Sequence, residues 1–465
     1  MERKNAWVKY PEGEKRQKVY DFAEDYRCFL SEHKTERECT AFFIEEAKKA
    51  GFRDLDQMIA NKETLKAGDK VYRSNYGKAL SLFVIGREDP EKGFAILGAH
   101  IDSPRMDLKQ NPLYEDTDMA FLDTHYYGGI KKYQWVTLPL ALHGVIAKKD
   151  GSKVIVNIGE DPKDPVFGVS DLLIHLSADQ MKKDGSKVVE GEDLNVLIGS
   201  IPLDETEAGE EKKDLVKKNI LRLLKDKYDI GEEDFLSAEI EVTPAGQARD
   251  YGFDRSMIMG YGHDDRSCAY PSFRAILDVE PGEKTYACLL VDKEEIGSVG
   301  ATGMQSTFYE DTVAEILAML GKDSNVSVRR CMRNSRALSS DVSAAFDPNY
   351  PSVMEKNNSA YFGRGLVINK YTGARGKSGS NDASAEYMAE IRKIFDTNEI
   401  SWQTAELGKV DQGGGGTIAY ILGNYDMKVI DSGVAVLSMH SPWEIISKVD
   451  LYEAYRGYMA FLKED

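Results

Sequence analysis

At 465 residues the chain has room for two or three domains and for a large core without staples. Its 42% hydrophobic and 30% charged residues are those of an ordinary globular protein, and a formal net charge of −18 excludes nucleic acid or an anionic membrane as main partner. No run approaches the ~18 apolar residues of a membrane span, and Met1-Glu2-Arg3-Lys4-Asn5 has no apolar stretch behind it, so no signal peptide is expected.

Helix-spaced apolar residues run over Val19 to Leu30 and Glu36 to Ala50, and Ala79 to Ile85 reads as a strand. The short continuous apolar run Phe94-Ala95-Ile96-Leu97-Gly98 has the pattern of a strand buried on both faces. Val136 to Ile146 and Val154 to Ile158 are strand-like around a Lys148-Lys149-Asp150-Gly151-Ser152 turn. A charge run from Asp204 to Lys213 reads as a solvated loop, followed by a helix over Leu215 to Lys227 and a strand over Ser237 to Val242. The change of character at Lys109 and its reversal near Ala238 predict a domain of residues 109–238 inserted into a discontinuous α/β domain, 1–108 and 239–465. Further on come Tyr286 to Val291 (strand), Thr312 to Leu320 and Ser380 to Phe395 (helices) and Gly433 to Ser438 (strand). A last helix is expected from Asp450 as N-cap.

Five short motifs carry chemistry: His100-Ile101-Asp102, Asp264-Asp265, Glu294-Glu295, Asp341 and His440. Four of them follow an apolar run, and ligands of open α/β sheets gather beyond the carboxyl ends of strands. His100 and Asp102, two apart at a strand end, can point to one side, so that Asp102 fixes the imidazole tautomer. Alone, such a histidine is more often a core residue and Asp264-Asp265 fits a helix N-cap, which is frequent, whereas a solvated turn is the weaker reading of Glu294-Glu295, whose flanks are apolar and glycine-rich. Together they supply the parts of a dinuclear zinc hydrolase: ligands for each ion, a carboxylate between them and a further carboxylate as base. The five cysteines, Cys28, Cys39, Cys268, Cys288 and Cys331, form no C-x-x-C pair and fit a reducing compartment, with the cytoplasm as default.

The chain resembles the M18 metallo-aminopeptidases. The matching stretches are Gly98 to Arg105, Asp264-Asp265-Arg266-Ser267-Cys268, Asp292 to Ser298, Ser340-Asp341-Val342, Asp347-Pro348-Asn349-Tyr350 and Met439-His440-Ser441. The resemblance implies an α/β peptidase domain with a central, mostly parallel sheet, interrupted by a β-rich dimerisation domain. It implies two zinc ions per subunit, replaceable by cobalt or manganese, with His100 and Asp341 on one, Glu295 and His440 on the other, and Asp264 between them. Glu294 would be the general base and Asp102 the residue orienting His100. The substrates implied are peptides with a free N-terminus, and the assembly a homo-oligomer, a tetrahedral dodecamer built from dimers.

His175, in Leu172-Leu173-Ile174-His175-Leu176, matches a family histidine that reaches the neighbouring subunit's site; the competing reading is a core histidine on an apolar strand. The family's acid-selective branch has a lysine where this chain has Asn369, which favours a neutral or hydrophobic N-terminal residue, although Arg375 and Lys377 keep an aspartyl- or glutamyl-selective alternative open. Two other readings are a sister family of large cytosolic aminopeptidases with the same metal set, and an inactive scaffold or cargo relative. The long insert speaks against the first. Retention of Glu294 speaks against the second.

Overall fold

A computed structural model of the chain describes residues 4–204, 206 and 213–464, so most of the charge run at 204–213 lies outside the described residues. Two compact units are distinguished: residues 1–103, 248–439 and 444–465, and residues 104–247 with 440–443.

The first unit is built on a nine-stranded sheet. Its strands in chain order are β1 (Arg53–Asp54), β2 (Lys70–Asn75), β3 (Ala79–Val84), β4 (Phe94–His100), β5 (Thr285–Val291), β6 (Arg336–Ser340), β7 (Leu366–Asn369), β8 (Trp402–Thr404) and β9 (Lys428–Gly433). Their order across the sheet is β1-β2-β3-β5-β4-β6-β9-β7-β8. The centre, β5-β4-β6-β9, is parallel throughout. All seven residues of β4 are buried. Ala95, Leu97 and Ala99 join one core cluster while Phe94 and Ile96 join another, so alternation along the strand serves two covered faces. Helix Glu14–Glu32 and helix Glu36–Lys49 contribute to the first cluster. Helix Phe308–Met319 and helix Asn325–Asn334 contribute to the second.

The second unit carries a six-stranded sheet in the order Lys153–Ile158, Leu140–Ala147, Ala238–Pro244, Arg105–Asp116, Met119–Tyr127, Val196–Gly199. Every neighbouring pair in it is antiparallel. Helix Leu215–Tyr228 belongs to the same unit.

Several local expectations are corrected. The strand expected from Val136 begins only at Leu140, after a 3-10 turn over Lys132–Gln134. The helix expected from Ser380 begins at Ala385, capped by the Ser384 side chain. The single strand expected over Gly433 to Ser438 is two, β9 ending at Gly433 and another over Ala435–Leu437. The last helix spans Lys448–Lys463 with Ser447 as N-cap. Asp450 lies inside its first turn, fully buried, and accepts from the main-chain N–H groups of Gly363 (2.8 Å) and Gly365 (2.6 Å). An acid near a helix start reads as a cap; this one holds a remote loop instead.

Gly433 ends β9 where the chain passes Asp341. The Asp341 N–H donates to the Ser432 carbonyl at 3.1 Å, and a Cβ on Gly433 would collide with the Asp341 carbonyl. Gly433→Ala should therefore destabilise the fold by about 1–3 kcal/mol, the range for overpacking. Denaturant unfolding checks this, and an unchanged midpoint would show that the Asp341 backbone can yield.

Candidate metal centre

The parallel registers bring separate motifs to one edge of the sheet. Val291 of β5 pairs with His100 of β4, and Ser339 of β6 pairs with Gly98. His100 therefore ends its strand level with the points where the chain leaves β5 towards Glu294 and β6 towards Asp341. Helix His263–Asp278 starts beside them, and its Asp264 and Asp265 have non-helical backbone angles.

His100 is the hub. Its Nδ1 lies 3.1 Å from a carboxylate oxygen of Asp102 and 3.0 Å from the Asp102 carbonyl, so Nδ1 carries a proton and Nε2 is the nitrogen left to face a metal. Its Nε2 faces the Asp264 carboxylate at 3.2 Å and those of Glu294 and Asp341 at 4.0 Å each. Asp102, fully buried, also accepts the main-chain N–H groups of Glu294 and Glu295, each at 3.2 Å. One carboxylate thus sets the imidazole and the turn that carries both glutamates.

Among the described residues two sets have ligand atoms close enough to share an ion: His100, Asp264 and Glu295, and His100, Asp265 and Asp341. Asp265 was not singled out as a ligand by its motif; its carboxylate also accepts the His100 main-chain N–H at 3.3 Å. The signal was the doubled acid beside a buried strand end, where two charges need a counter-charge.

The electrostatics follow from crowding. Burial pushes the Asp341 carboxyl well above the usual range, and the charges of Glu294, Asp265 and Asp264 push it further. Burial likewise raises Asp265, with Asp264 adding and His100 opposing. Burial works against a charged His100, but hydrogen bonds to Asp102 and Asp264 outweigh it and raise the imidazole well above its ordinary value. The group therefore calls for positive charge. An imidazole nitrogen ringed by carboxylate oxygens is a donor set that zinc accepts, and the residues present fit that ion.

Three other histidines are outside both sets. His440 belongs to the second compact unit, has a left-handed backbone (φ 64) and places Nδ1 2.8 Å from the Gly129 carbonyl. Neither ion-holding set includes it. His175, also in the second unit, sits exposed in the 3-10 turn Ile174–Leu176, which removes the core-histidine reading. His263 is enclosed between the Tyr26 hydroxyl (2.8 Å) and the Ile258 carbonyl (3.2 Å), and burial lowers its pKa to about 3, so it is a neutral structural group.

Comparison with known proteins gives a concordant picture. The family model described as Aminopeptidase I zinc metalloprotease (M18) matches residues 29–462. A probable M18 family aminopeptidase 1 of Clostridium acetobutylicum is 63% identical, over 99% of this chain and 98% of the relative. The crystal structure of an M18 family aminopeptidase from Thermotoga maritima superposes with a TM-score of 0.94 at 43% identity, covering 100% of both chains. The mApe1 dodecamer of S. cerevisiae shares the fold at a TM-score of 0.76 and 20% identity, over 96% of this chain and 97% of that one.

Because Asp102 holds the His100 ring and both glutamate N–H groups, Asp102→Asn should weaken zinc binding about 10–100-fold, the usual effect of losing an outer partner of a ligand. Competition with a chromophoric chelator measures it. An affinity equal to wild type would remove Asp102 from that role.

Proposed function

The chain belongs to the M18 family of zinc aminopeptidases, and on that premise we propose that it works with two zinc ions per subunit and favours peptides with a neutral or hydrophobic N-terminal residue. The observation that carries this reading is the single imidazole enclosed by carboxylates from three strand ends and a helix start. His100 and Asp341 would hold one ion, Glu295 and His440 the other, and Asp264 would lie between them; His440 enters on its motif. Bound zinc, or cobalt or manganese in its place, would polarise the scissile carbonyl and anchor the substrate's free α-amine.

The chain's own residues do the proton work. Glu294 takes the proton of the attacking water and returns it to the departing amine. Asp102 keeps His100 in one tautomer and holds the glutamate turn at a fixed height. Asp265, bonded to the His100 main chain, is scaffolding in this reading, and Asp264, whose oxygen faces Nε2, is the shared ligand.

The preference rests on Asn369. It is buried, with its oxygen accepting from the Ser343 hydroxyl (2.8 Å) and its amide nitrogen donating to the Ala405 carbonyl (2.8 Å). An uncharged amide whose oxygen and one N–H are already engaged cannot pair with a substrate carboxylate as a lysine does. Lys370 and Lys377 both pair with Asp382.

Assembly is part of the same reading: a tetrahedral dodecamer of dimers, with the second unit as dimerisation domain and His175 contacting substrate in the neighbouring subunit. Leu172, Leu173, Ile174 and Leu176 around it are 46%, 53%, 70% and 69% exposed, an apolar patch of the kind that a partner covers. The yeast relative is described as a dodecamer. Five free cysteines agree with a reducing, cytoplasmic setting, and no described helix is long and apolar enough to cross a membrane.

Zinc content and turnover of leucyl, methionyl, aspartyl and glutamyl substrates test the core of this. Two zinc ions per chain are expected, with faster cleavage of leucyl than aspartyl substrates. Glu294→Gln should keep the metal and lose about 10²–10⁴-fold in turnover. One ion per chain, or an active Glu294→Gln protein, would contradict it.

Subunit mixing tests His175. His175→Ala should lose on the order of 10²-fold in kcat, as for one oxyanion donor. Re-formed together with Glu294→Gln subunits, it should recover activity, because one hybrid site then has both residues intact. No gain over the two parents, with exchange verified by mass, would confine His175 to its own subunit.

A further inference from the structure

The Asp264 backbone (φ −81, ψ 108) departs from the helix assigned around it. Both polar groups of its main chain are nevertheless satisfied, and by side chains. The Ser103 hydroxyl donates to the Asp264 carbonyl at 2.7 Å, and the Asp264 N–H donates to a carboxylate oxygen of Glu444 at 3.0 Å. We propose that Glu444 is a positioning residue for the metal centre, fixing through the Asp264 N–H the carboxylate that the two ions share.

The choice of residue supports a role beyond packing. Glu444 opens the strand Glu444–Ser447, of which all four residues are buried, and is followed by Ile445 and Ile446. It is 1% exposed. A buried carboxylate in an apolar strand is unfavourable unless it is hydrogen-bonded. A serine, threonine or asparagine can accept from a main-chain N–H without bringing charge. Here a carboxyl oxygen of Glu444 meets the Asp264 N–H beside a neighbourhood that already holds Asp264, Asp265, Glu294, Glu295 and Asp341, and it is the acceptor rather than a charge that holds the Asp264 main chain. Clamped at both ends, the Asp264 peptide cannot rotate, and its carboxylate keeps the direction that puts an oxygen 3.2 Å from His100 Nε2. Ser103 holds the opposite end of the same residue and completes the clamp. Glu444 also follows His440 by four residues in the sequence, so one short segment would carry a zinc ligand and the device that aims the shared one.

This inference rests on the two-zinc reading, and the experiment separates the two. Zinc affinity is measured by chelator competition, with kcat and KM, on wild type, Glu444→Gln and Glu444→Leu. Glutamine keeps a carbonyl acceptor for the N–H, whereas leucine keeps bulk and offers none. Glu444→Leu should bind zinc at least about tenfold more weakly, as for loss of an outer partner of a ligand, with kcat falling and KM little changed. Glu444→Gln should stay within about threefold of wild type. If Glu444→Leu does not fold, Ser103→Ala, which releases the other end of Asp264, should show the same loss. Wild-type affinity in the leucine variant (or in Ser103→Ala where that replaces it), or a glutamine variant as impaired as leucine, would overturn the assignment. A wild-type protein that holds no zinc would instead remove the reading beneath it.

Discussion

Buried negative charge around one imidazole is the constraint on which the rest of the site depends. Asp264, Glu294 and Asp341 approach His100 Nε2 from different parts of the chain, and burial raises Asp341 and Asp265 far above ordinary carboxyl behaviour. Such a group is unfavourable as bare charge and becomes favourable when cations enter it. The central sheet makes the crowding possible. Parallel strands β4, β5 and β6 end at nearly one level, so the residues just past their ends meet without long loops.

Precision then comes from neighbours of the proposed ligands. Asp102 ties the His100 ring to the glutamate turn, Ser103 and Glu444 hold Asp264 from both sides, and Gly433 leaves room for the Asp341 backbone. Each of these groups is buried or lies on the sheet, so the centre inherits the rigidity of the core. Glu294, the proposed base, lies in the short 3-10 turn Glu294–Ile296.

Much of this was legible in the sequence, and for a physical reason. Continuous apolar runs such as Phe94 to Gly98 mark strands buried on both faces, and polar residues just beyond them mark the sheet edge where ligands gather. The α/β class with a mostly parallel central sheet, and the zinc aminopeptidase family, were readable on that basis together with the motifs. Less legible was anything set by long-range pairing. Asp450 looked like a helix cap because its true partners, Gly363 and Gly365, lie more than eighty residues away. Glu444 carried a signal, a lone acid among apolar neighbours, but its partner could not be named before the fold was known. The start of the strand at Leu140 was hidden by apolar residues, Trp135 and Val136, that are buried without being extended. Asp265 was shadowed by its neighbour, since two adjacent acids look alike until their backbones diverge.

In the proposed mechanism two zinc ions share this centre. The most direct measurement is a crystal structure of the zinc-loaded protein with anomalous data collected on both sides of the zinc edge. Two anomalous peaks per chain about 3.5 Å apart are expected, with Asp264 touching both, His100 and Asp341 on one, and Glu295 and His440 on the other. A single peak, or two peaks of which neither is coordinated by His100, would contradict that mechanism.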